Sequence, residues 1–149
     1  MALQDKLSAD LKQALRERDE NRKTALRLLR AAILNEQVAK GHLLDDAEVQ
    51  AVAMREVRMR RESIEAFQAA GRSDLVQEQE AQLRVLSDYI PQQMTREEIE
   101  QAARESIAAV GAQGPADLGA VMRHLMPRLK GRAEGSLANQ VVRELLGAR

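Results

Sequence analysis

The sequence predicts an all-α protein in two parts, and three observations support that fold class. Apolar residues recur at helical spacing along the chain, no segment alternates convincingly with the two-residue period of a strand, and glycines follow the periodic runs. At the start of the chain, Leu3, Leu7, Leu11 and Leu15 lie four residues apart. Such spacing puts one apolar stripe on a helix, and that stripe must pack against a shared core.

The periodic runs predict seven helices, at residues 2–19, 21–40, 46–70, 73–89, 95–110, 117–126 and 136–147. Gly41, Gly71 and Gly111 each follow one of these runs. Because glycine readily adopts the left-handed conformation that closes a helix, we expect each of them to mark a helix end.

Residues that cap helices precede several of the predicted starts. Asp45 or Asp46 caps the third helix and Ser73 the fourth. Thr95, followed three residues later by Glu98, predicts a capping box at the start of the fifth helix.

The chain is predicted to divide at Tyr89-Ile90-Pro91. Proline lacks a backbone N–H and disfavours helical geometry in the residue before it, so the fourth helix should stop there. We therefore expect an N-terminal helical domain of about four helices at 1–91 and a small C-terminal three-helix domain at 92–149.

Composition excludes several classes of function. The 149 residues carry 23 basic and 23 acidic side chains and no cysteine, which excludes disulfides, thiolate metal sites and cysteine nucleophiles. Phe67 and Tyr89 are the only aromatic residues, so a stacking platform for single-stranded nucleic acid is not expected. His42 and His124 have no metal-binding spacing, and we expect neither a metal nor a cofactor.

The same composition bears on location. A chain without cysteine is typical of a reducing compartment, and the cytoplasm is the expected location. Residues 1–10 are charged and lack the apolar centre of a signal peptide, and no apolar run approaches the length of a membrane span. Neither secretion nor membrane insertion is expected.

The strongest local feature is the segment 127–136, a turn rich in glycine and basic residues between two apolar patterns. Its cations and glycines are Arg128, Lys130, Gly131, Arg132 and Gly135. The backbone donors and cations of such a turn can converge on a phosphate, helped by the positive end of the helix that begins near Ser136. The alternative is an ordinary turn with solvated charges, and the segment lacks the spacing of a Walker phosphate loop.

The C-terminal end of the chain, which contains this segment, is also the most basic part of it. Residues 92–118 hold two basic and five acidic groups, a net charge of minus three, whereas residues 119–149 hold six basic and two acidic groups, a net charge of plus four. Two further basic stripes lie on predicted helices: Lys23, Arg27 and Arg30 on the second, and Arg55, Arg58, Arg60 and Arg61 on the third. The third-helix stripe is interpreted as an exposed face with ion pairs, because Glu56 lies four residues before Arg60.

Met122 and Met126 lie four residues apart on the sixth predicted helix. They are interpreted either as ordinary core or as a groove that binds a partner protein. His124, between them, is interpreted as the edge of the packed face rather than a catalytic base, and the order of residues offers no serine–histidine–aspartate or serine–lysine site.

The run from Asp117 to Val142, which contains Met-Pro-Arg-Leu-Lys-Gly-Arg-Ala-Glu-Gly-Ser, closely resembles the GatB/YqeY family. The segments Leu-Lys-Gln-Ala-Leu-Arg-Glu-Arg-Asp, Arg-Glu-Ser-Ile-Glu-Ala-Phe-Gln-Ala-Ala-Gly-Arg-Ser-Asp-Leu and Tyr-Ile-Pro-Gln-Gln-Met also resemble stand-alone YqeY-like proteins. The resemblance implies a C-terminal part like the tail domain of the B subunit of glutamine-dependent aminoacyl-tRNA amidotransferase, which contacts tRNA while amidation occurs elsewhere. The family is often labelled as a carbon–nitrogen ligase with glutamine as amide donor, and the resemblance implies that this label comes from the shared tail domain rather than from chemistry in this chain.

The positions that match the family pattern are Gly119, Met122, Met126, Pro127, Lys130, Gly131, Arg132, Ala133, Gly135 and Asn139. Ala120 stands where the family commonly has lysine, and Glu134 where it commonly has aspartate. The resemblance favours the phosphate-binding interpretation of the 127–136 segment.

The function expected from the sequence is therefore a non-catalytic module associated with tRNA or other RNA. Its expected nucleic-acid-binding residues are Arg123, Arg128, Lys130, Gly131, Arg132, Gly135 and Asn139. The alternative is a protein-interaction module that docks on an aminoacyl-tRNA synthetase or an amidotransferase through Met122 and Met126 or through the long N-terminal helices. A true amidotransferase is the third possibility, and no catalytic constellation supports it.

Overall fold

The computed structural model describes residues 2–147, which form seven α-helices and two short 3-10 turns. The helices are α1 (Ala2–Glu17), α2 (Glu20–Lys40), α3 (Asp46–Ala69), α4 (Ser73–Leu86), α5 (Arg96–Val110), α6 (Leu118–Leu129) and α7 (Gly135–Leu145), and the turns are Ser87–Tyr89 and Pro115–Asp117. No strand occurs between residues 2 and 147, so the all-α prediction is confirmed for that range. Within it, no helix combines the length and the apolar character that a membrane crossing requires.

Several helices begin or end where the capping residues and glycines of the sequence predict. The Asp45 carboxylate accepts a 2.8 Å hydrogen bond from the backbone N–H of Glu48, and the Glu48 carboxylate accepts one from the N–H of Asp45, which completes a capping box at α3. At α5 the Thr95 hydroxyl accepts from the N–H of Glu98, which is the Thr95 half of the predicted box. Gly41, with a φ of +75°, adopts the expected left-handed conformation.

Several helix ends differ from the predicted positions. Ser73 is the first residue of α4 rather than its cap, and the last turn predicted for that helix, Ser87–Tyr89, is a 3-10 turn. Helix α6 continues through Pro127 to Leu129 instead of ending at residue 126. Proline removes one helical hydrogen bond, but Leu129 is fully buried, so the packing of this last turn favours continuing the helix.

Contacts divide the chain into two compact units, one ending at Pro91 and the other beginning at Gln92. In the N-terminal unit, helices α1 to α4 surround a core of leucine, isoleucine, valine and alanine side chains. Tyr89, from the 3-10 turn, and Leu44, from the connection between α2 and α3, complete it.

In the C-terminal unit, helices α5, α6 and α7 pack around a smaller core. Its largest fully buried side chains are Ile99 of α5, Val121, Leu125 and Leu129 of α6 and Val141 of α7. This packing fixes the position of the α6–α7 loop, residues 130–134, which contains the centre of the predicted phosphate-binding segment. Arg149, one of the basic residues counted at this end, lies outside the described residues.

Candidate nucleic-acid interface

The α6–α7 loop begins where Leu129 anchors the last turn of α6. Lys130 leaves helical geometry with φ −54° and ψ 124°, and Gly131 follows with a φ of +80°. A positive φ is costly for any residue with a Cβ, so glycine lets the chain reverse here. The N–H groups of Arg132 and Ala133 then donate to the Leu129 carbonyl, at 2.8 and 3.1 Å, and close a tight turn.

Three hydrogen bonds hold this loop to the segment Gln92–Met94 that leads into α5. The Gln93 side chain donates to the Gly131 carbonyl at 3.0 Å, and the N–H of Met94 donates to the Arg132 carbonyl at 2.8 Å. The Arg132 Nε donates to the Gln92 carbonyl at 3.1 Å. The loop is therefore attached to the start of α5 through both Gly131 and Arg132.

Two of the predicted phosphate-binding cations already have protein partners. Arg128 donates to the Glu105 carboxylate at 2.5 Å and to the Ala102 carbonyl at 3.4 Å. The hydrogen bond from Arg128 holds the pKa of the Glu105 carboxyl below its ordinary value. Arg132, besides its contact with Gln92, lies 3.8 Å from the Glu98 carboxylate. Both side chains stabilise the C-terminal unit, so neither is a free cation.

The other two predicted cations have no such partners. Arg123 and Lys130 are exposed, and within residues 2–147 neither forms an ion pair or a side-chain hydrogen bond. Arg123 lies on α6 and Lys130 directly follows the last residue of that helix, so the two are seven residues, or about 10 Å along the helix axis, apart. Arg128 lies on a different face, toward α5. The four predicted cations therefore form two separate groups.

The remaining predicted nucleic-acid-binding residues lie on α7. Gly135 is its exposed first residue, and a Cβ added there would lie 3.7 Å from the Met126 Cε, an ordinary contact distance. The fold therefore does not require glycine at position 135. Asn139, one turn later, is half-buried. Both positions are near the α7 N-terminus, where backbone N–H groups carry a partial positive charge.

Met122 and Met126 are both half-buried and pack against the core of the C-terminal unit. Their sulfur-containing side chains fill space beside the fully buried Val121 and Leu125, as flexible methionine side chains do in small cores. Most of each side chain is thus engaged within the unit. Their role as a partner groove stays a prediction.

Sequence reasoning missed a contact between His124 and Ser106. The His124 Nδ1 lies 2.9 Å from the Ser106 Oγ, although eighteen residues separate them and no local motif connects them. Ser106 is fully buried, so its hydroxyl cannot reach a substrate. The pair satisfies a buried hydroxyl between α5 and α6.

In the N-terminal unit, the interpretation of the third-helix basic stripe as wholly exposed is wrong. Arg60 is 5% exposed and Glu56 is 7% exposed, and their charged atoms lie 3.7 Å apart inside the unit. The Arg60 Nε is buried without a hydrogen-bond partner. The four-residue spacing correctly identified the pair, but it does not indicate which face of α3 is buried.

A cleft of about 380 Å³ also lies in the N-terminal unit. Its polar lining is Asp10, Asp19, Asn21, Arg22, Arg84, Asp88 and Tyr89. At its base the buried Tyr89 hydroxyl donates to the Asp10 carboxylate, which also binds Lys6. Among residues 2–147 no group of three or more histidine, aspartate or glutamate side chains is arranged to hold a metal ion.

Comparison with known proteins identifies relatives over nearly the whole chain. The family described as Yqey-like protein matches residues 4–146. "Altered inheritance of mitochondria protein 41, mitochondrial" from Pyrenophora tritici-repentis is 29% identical over 147 residues, covering 97% of this chain and 81% of the relative. The protein of the same name from Lachancea thermotolerans is 34% identical over 101 residues, covering 67% of this chain and 54% of the relative.

The protein of that name from Saccharomyces cerevisiae is 33% identical over 87 residues, covering 58% of this chain and 47% of the relative. The matched region thus spans about half the length of the two yeast relatives.

These relatives correct the expected cytoplasmic location, which is wrong on this comparison, because their names place those proteins in mitochondria. The expectation rested on the absence of cysteine, which indicates a reducing environment but does not name a compartment. The family match covers all seven helices of the described chain apart from the first two residues of α1. The chain therefore belongs to the Yqey-like protein family.

Proposed function

We propose that this chain is a non-catalytic RNA-associated module that contacts tRNA phosphates through Arg123 and Lys130. The observation that carries the proposal is a pair of exposed cations, Arg123 on α6 and Lys130 directly after it, that form no ion pair within residues 2–147. Hydrogen bonds from Gln93 and Arg132 hold the loop that Lys130 begins. A phosphate that meets such a pair gains charge-assisted contacts without breaking an ion pair within the protein.

The tied loop supports the proposal through preorganisation. Lys130 begins a turn that the Gln93 and Met94 contacts fix, so binding orders little additional backbone. Arg132 has a positioning role in this arrangement, because its guanidinium holds the Gln92 carbonyl. Arg128 stabilises the packing of α6 on α5 through Glu105.

The number of free cations sets the expected strength. Two phosphate contacts release few counterions, so binding is weak and its salt dependence is shallow compared with that of a highly basic protein. The zero net charge of the chain agrees with a module that adds contacts to a larger assembly. Docking through Met122 and Met126 has less support, since both side chains pack within their own unit.

Binding of purified full chain to bulk tRNA at two salt concentrations tests the proposal. The decisive variant is Arg123→Gln with Lys130→Gln, which removes two charges without touching a hydrogen bond of the loop. The matched control is Arg27→Gln with Arg30→Gln on α2, which removes the same charge from two other exposed arginines. We expect the first variant to lose most of the salt-sensitive binding and the control to retain it.

Absence of binding at low salt contradicts the proposal. Equal loss of binding in the two double variants also contradicts it, because binding would then depend on net charge rather than on Arg123 and Lys130.

A further inference from the structure

The outward surface of α2 carries a feature that the proposed RNA contact does not use. The helix buries Ala25, Leu26, Leu29 and Ile33 in the core of the N-terminal unit. On the opposite side lie Arg27, Arg30, Ala31, Leu34 and Val38, all exposed, and we call these five residues the outer face of α2. Leu34 is 52% exposed and Val38 is 84% exposed. Large apolar side chains this exposed on one helix face mark a candidate contact surface.

The spacing of the outer face is that of a helix–helix seam. Arg27, Ala31, Leu34 and Val38 follow one another at intervals of four, three and four residues, which is the heptad spacing of coiled-coil contact positions. Ala31, in the middle of the row, allows a second helix to approach closely. Leu28, which is 47% exposed, lies beside this row near Ala31, so the apolar part is wider than one residue only at that point. A helix that lies in a membrane surface has a broad apolar face, often with aromatic residues. Helix α2 contains no aromatic residue.

The charge of the outer face indicates the charge that a partner must carry. Neighbouring charges are neutralised inside the unit: Lys23 pairs with Glu20 at 2.8 Å, and Glu36 pairs with Arg55 at 2.9 Å. Arg27 and Arg30 have no ion pair within residues 2–147. The outer face is therefore basic toward its N-terminal end and apolar toward its C-terminal end.

A second copy of this chain does not complement that arrangement. In a parallel pairing of two α2 helices, Arg27 would meet the same arginine of the other copy. In an antiparallel pairing centred near Ala31 and Leu34, each Arg27 would lie against Val38 of the other copy and stay without a counter-charge. RNA would complement the arginines but would leave Leu34 and Val38 in water.

We propose that the outer face of α2 binds a helix of a partner protein that carries apolar residues at heptad spacing and carboxylates opposite Arg27 and Arg30. The apolar half of the partner covers Leu34 and Val38, and its acidic half pairs with the two arginines. This contact is independent of the proposed tRNA contact, which uses α6 of the C-terminal unit.

Two fluorescein-labelled helical peptides test the proposal against the full chain. Both carry leucine at heptad positions, and they differ only in having glutamate or lysine at the positions meant to face Arg27 and Arg30. We expect fluorescence anisotropy to show at least about tenfold tighter binding of the glutamate peptide, with an affinity that falls as salt increases. The Arg27→Glu, Arg30→Glu variant should reverse this preference.

A neutral variant, Leu34→Gln with Val38→Gln, should lose binding of both peptides while circular dichroism shows unchanged helix content, since both positions are exposed and glutamine is a good helix former. The Arg123→Gln, Lys130→Gln variant is the matched control and should bind the glutamate peptide like the wild type. That control separates failure of this proposal from failure of the tRNA contact.

The proposal is overturned if neither peptide binds, or if charge reversal on α2 leaves the preference unchanged. It is also overturned by a dimer of the chain that the Leu34→Gln, Val38→Gln variant dissociates in sedimentation equilibrium. Binding to phosphatidylglycerol vesicles that the same variant abolishes, with no binding of either peptide, would assign the face to a lipid surface instead.

Discussion

The contact between Tyr89 and Asp10 permits a sharp stability prediction. Tyr89 is 1% exposed, its hydroxyl donates to the Asp10 carboxylate, and the Lys6 ammonium lies 4.5 Å from its ring centroid while also binding Asp10 at 2.8 Å. The substitution Tyr89→Phe removes the hydroxyl and keeps the ring, so packing and the cation–π contact stay. Only the hydrogen bond to a carboxylate is lost.

The expected magnitude follows from the charge and the exposure of the acceptor. A hydrogen bond to a charged group contributes about 1.5–3 kcal/mol to stability. The Asp10 side chain is 20% exposed and keeps contacts with Lys6 and, at 3.4 Å, with Arg22, so water and these cations compensate in part. We therefore expect Tyr89→Phe to lower the free energy of unfolding by about 1.5 kcal/mol, the low end of that range.

A double-mutant cycle with Asp10→Ala isolates the interaction, because alanine offers no acceptor to the Tyr89 hydroxyl. Urea unfolding followed by circular dichroism gives the free energies for the wild type, both single variants and the double variant. Because Tyr89 is the only tyrosine and the chain has no tryptophan, tyrosine emission reports the same transition locally in the wild type and in Asp10→Ala. We expect a coupling energy of at least about 1 kcal/mol, and additive effects within about 0.5 kcal/mol would refute the assigned bond.

Three further predictions concern pH, the α6–α7 loop and the buried ion pair. Burial alone would raise the pKa of Asp10, but its hydrogen bonds from Lys6 and Tyr89 outweigh burial and lower the pKa below 3.8. The ionised form therefore stabilises the protein above that pH, and this contribution is lost as the pH falls through the lowered pKa. Asp10→Asn should flatten this part of the acid unfolding curve. Gly131 has a φ of +80°, so Gly131→Ala should lower the free energy of unfolding by about 1–2 kcal/mol. The methyl group added by Gly135→Ala would lie 3.7 Å from its nearest neighbour, so this variant should stay within about 0.5 kcal/mol of the wild type in thermal unfolding. Arg60→Met should lower the free energy of unfolding by about 3 kcal/mol, because it leaves Glu56 buried and unpaired. Adding Glu56→Leu should recover most of that loss in urea unfolding. A double variant no more stable than Arg60→Met would contradict this account of the pair.

The parts of the fold that the sequence predicted depend on local interactions. Asp45 and Glu48 form their capping box through groups three residues apart, and Gly41, Gly71 and Gly111 adopt positive φ values where their helices end. Each of these signals involves neighbours in sequence, so no tertiary information is needed to interpret it.

The sequence predicted structure incorrectly where contacts between residues distant in sequence determine it. The helix-breaking signal of Pro127 is outweighed by the burial of Leu129 in the core of the C-terminal unit. Arg60 is buried in the N-terminal unit, and no pattern on α3 alone reveals that burial. At the candidate site, the basic segment correctly located a tight turn but could not show that Arg128 is paired with Glu105, twenty-three residues away. Of the four predicted cations, Arg123 and Lys130 have no ion pair within residues 2–147, and that distinction required the structure.

The salt dependence of tRNA binding tests the central claim most directly. Each phosphate contact contributes about 0.7–0.9 to the slope of log affinity against log salt, so two contacts through Arg123 and Lys130 predict about a tenfold loss of affinity between 50 and 200 mM salt. The Arg123→Gln, Lys130→Gln variant should lower that slope by about 1.5, and the Arg27→Gln, Arg30→Gln control should leave it unchanged. Equal slopes for the wild type and the α6 variant would contradict the account.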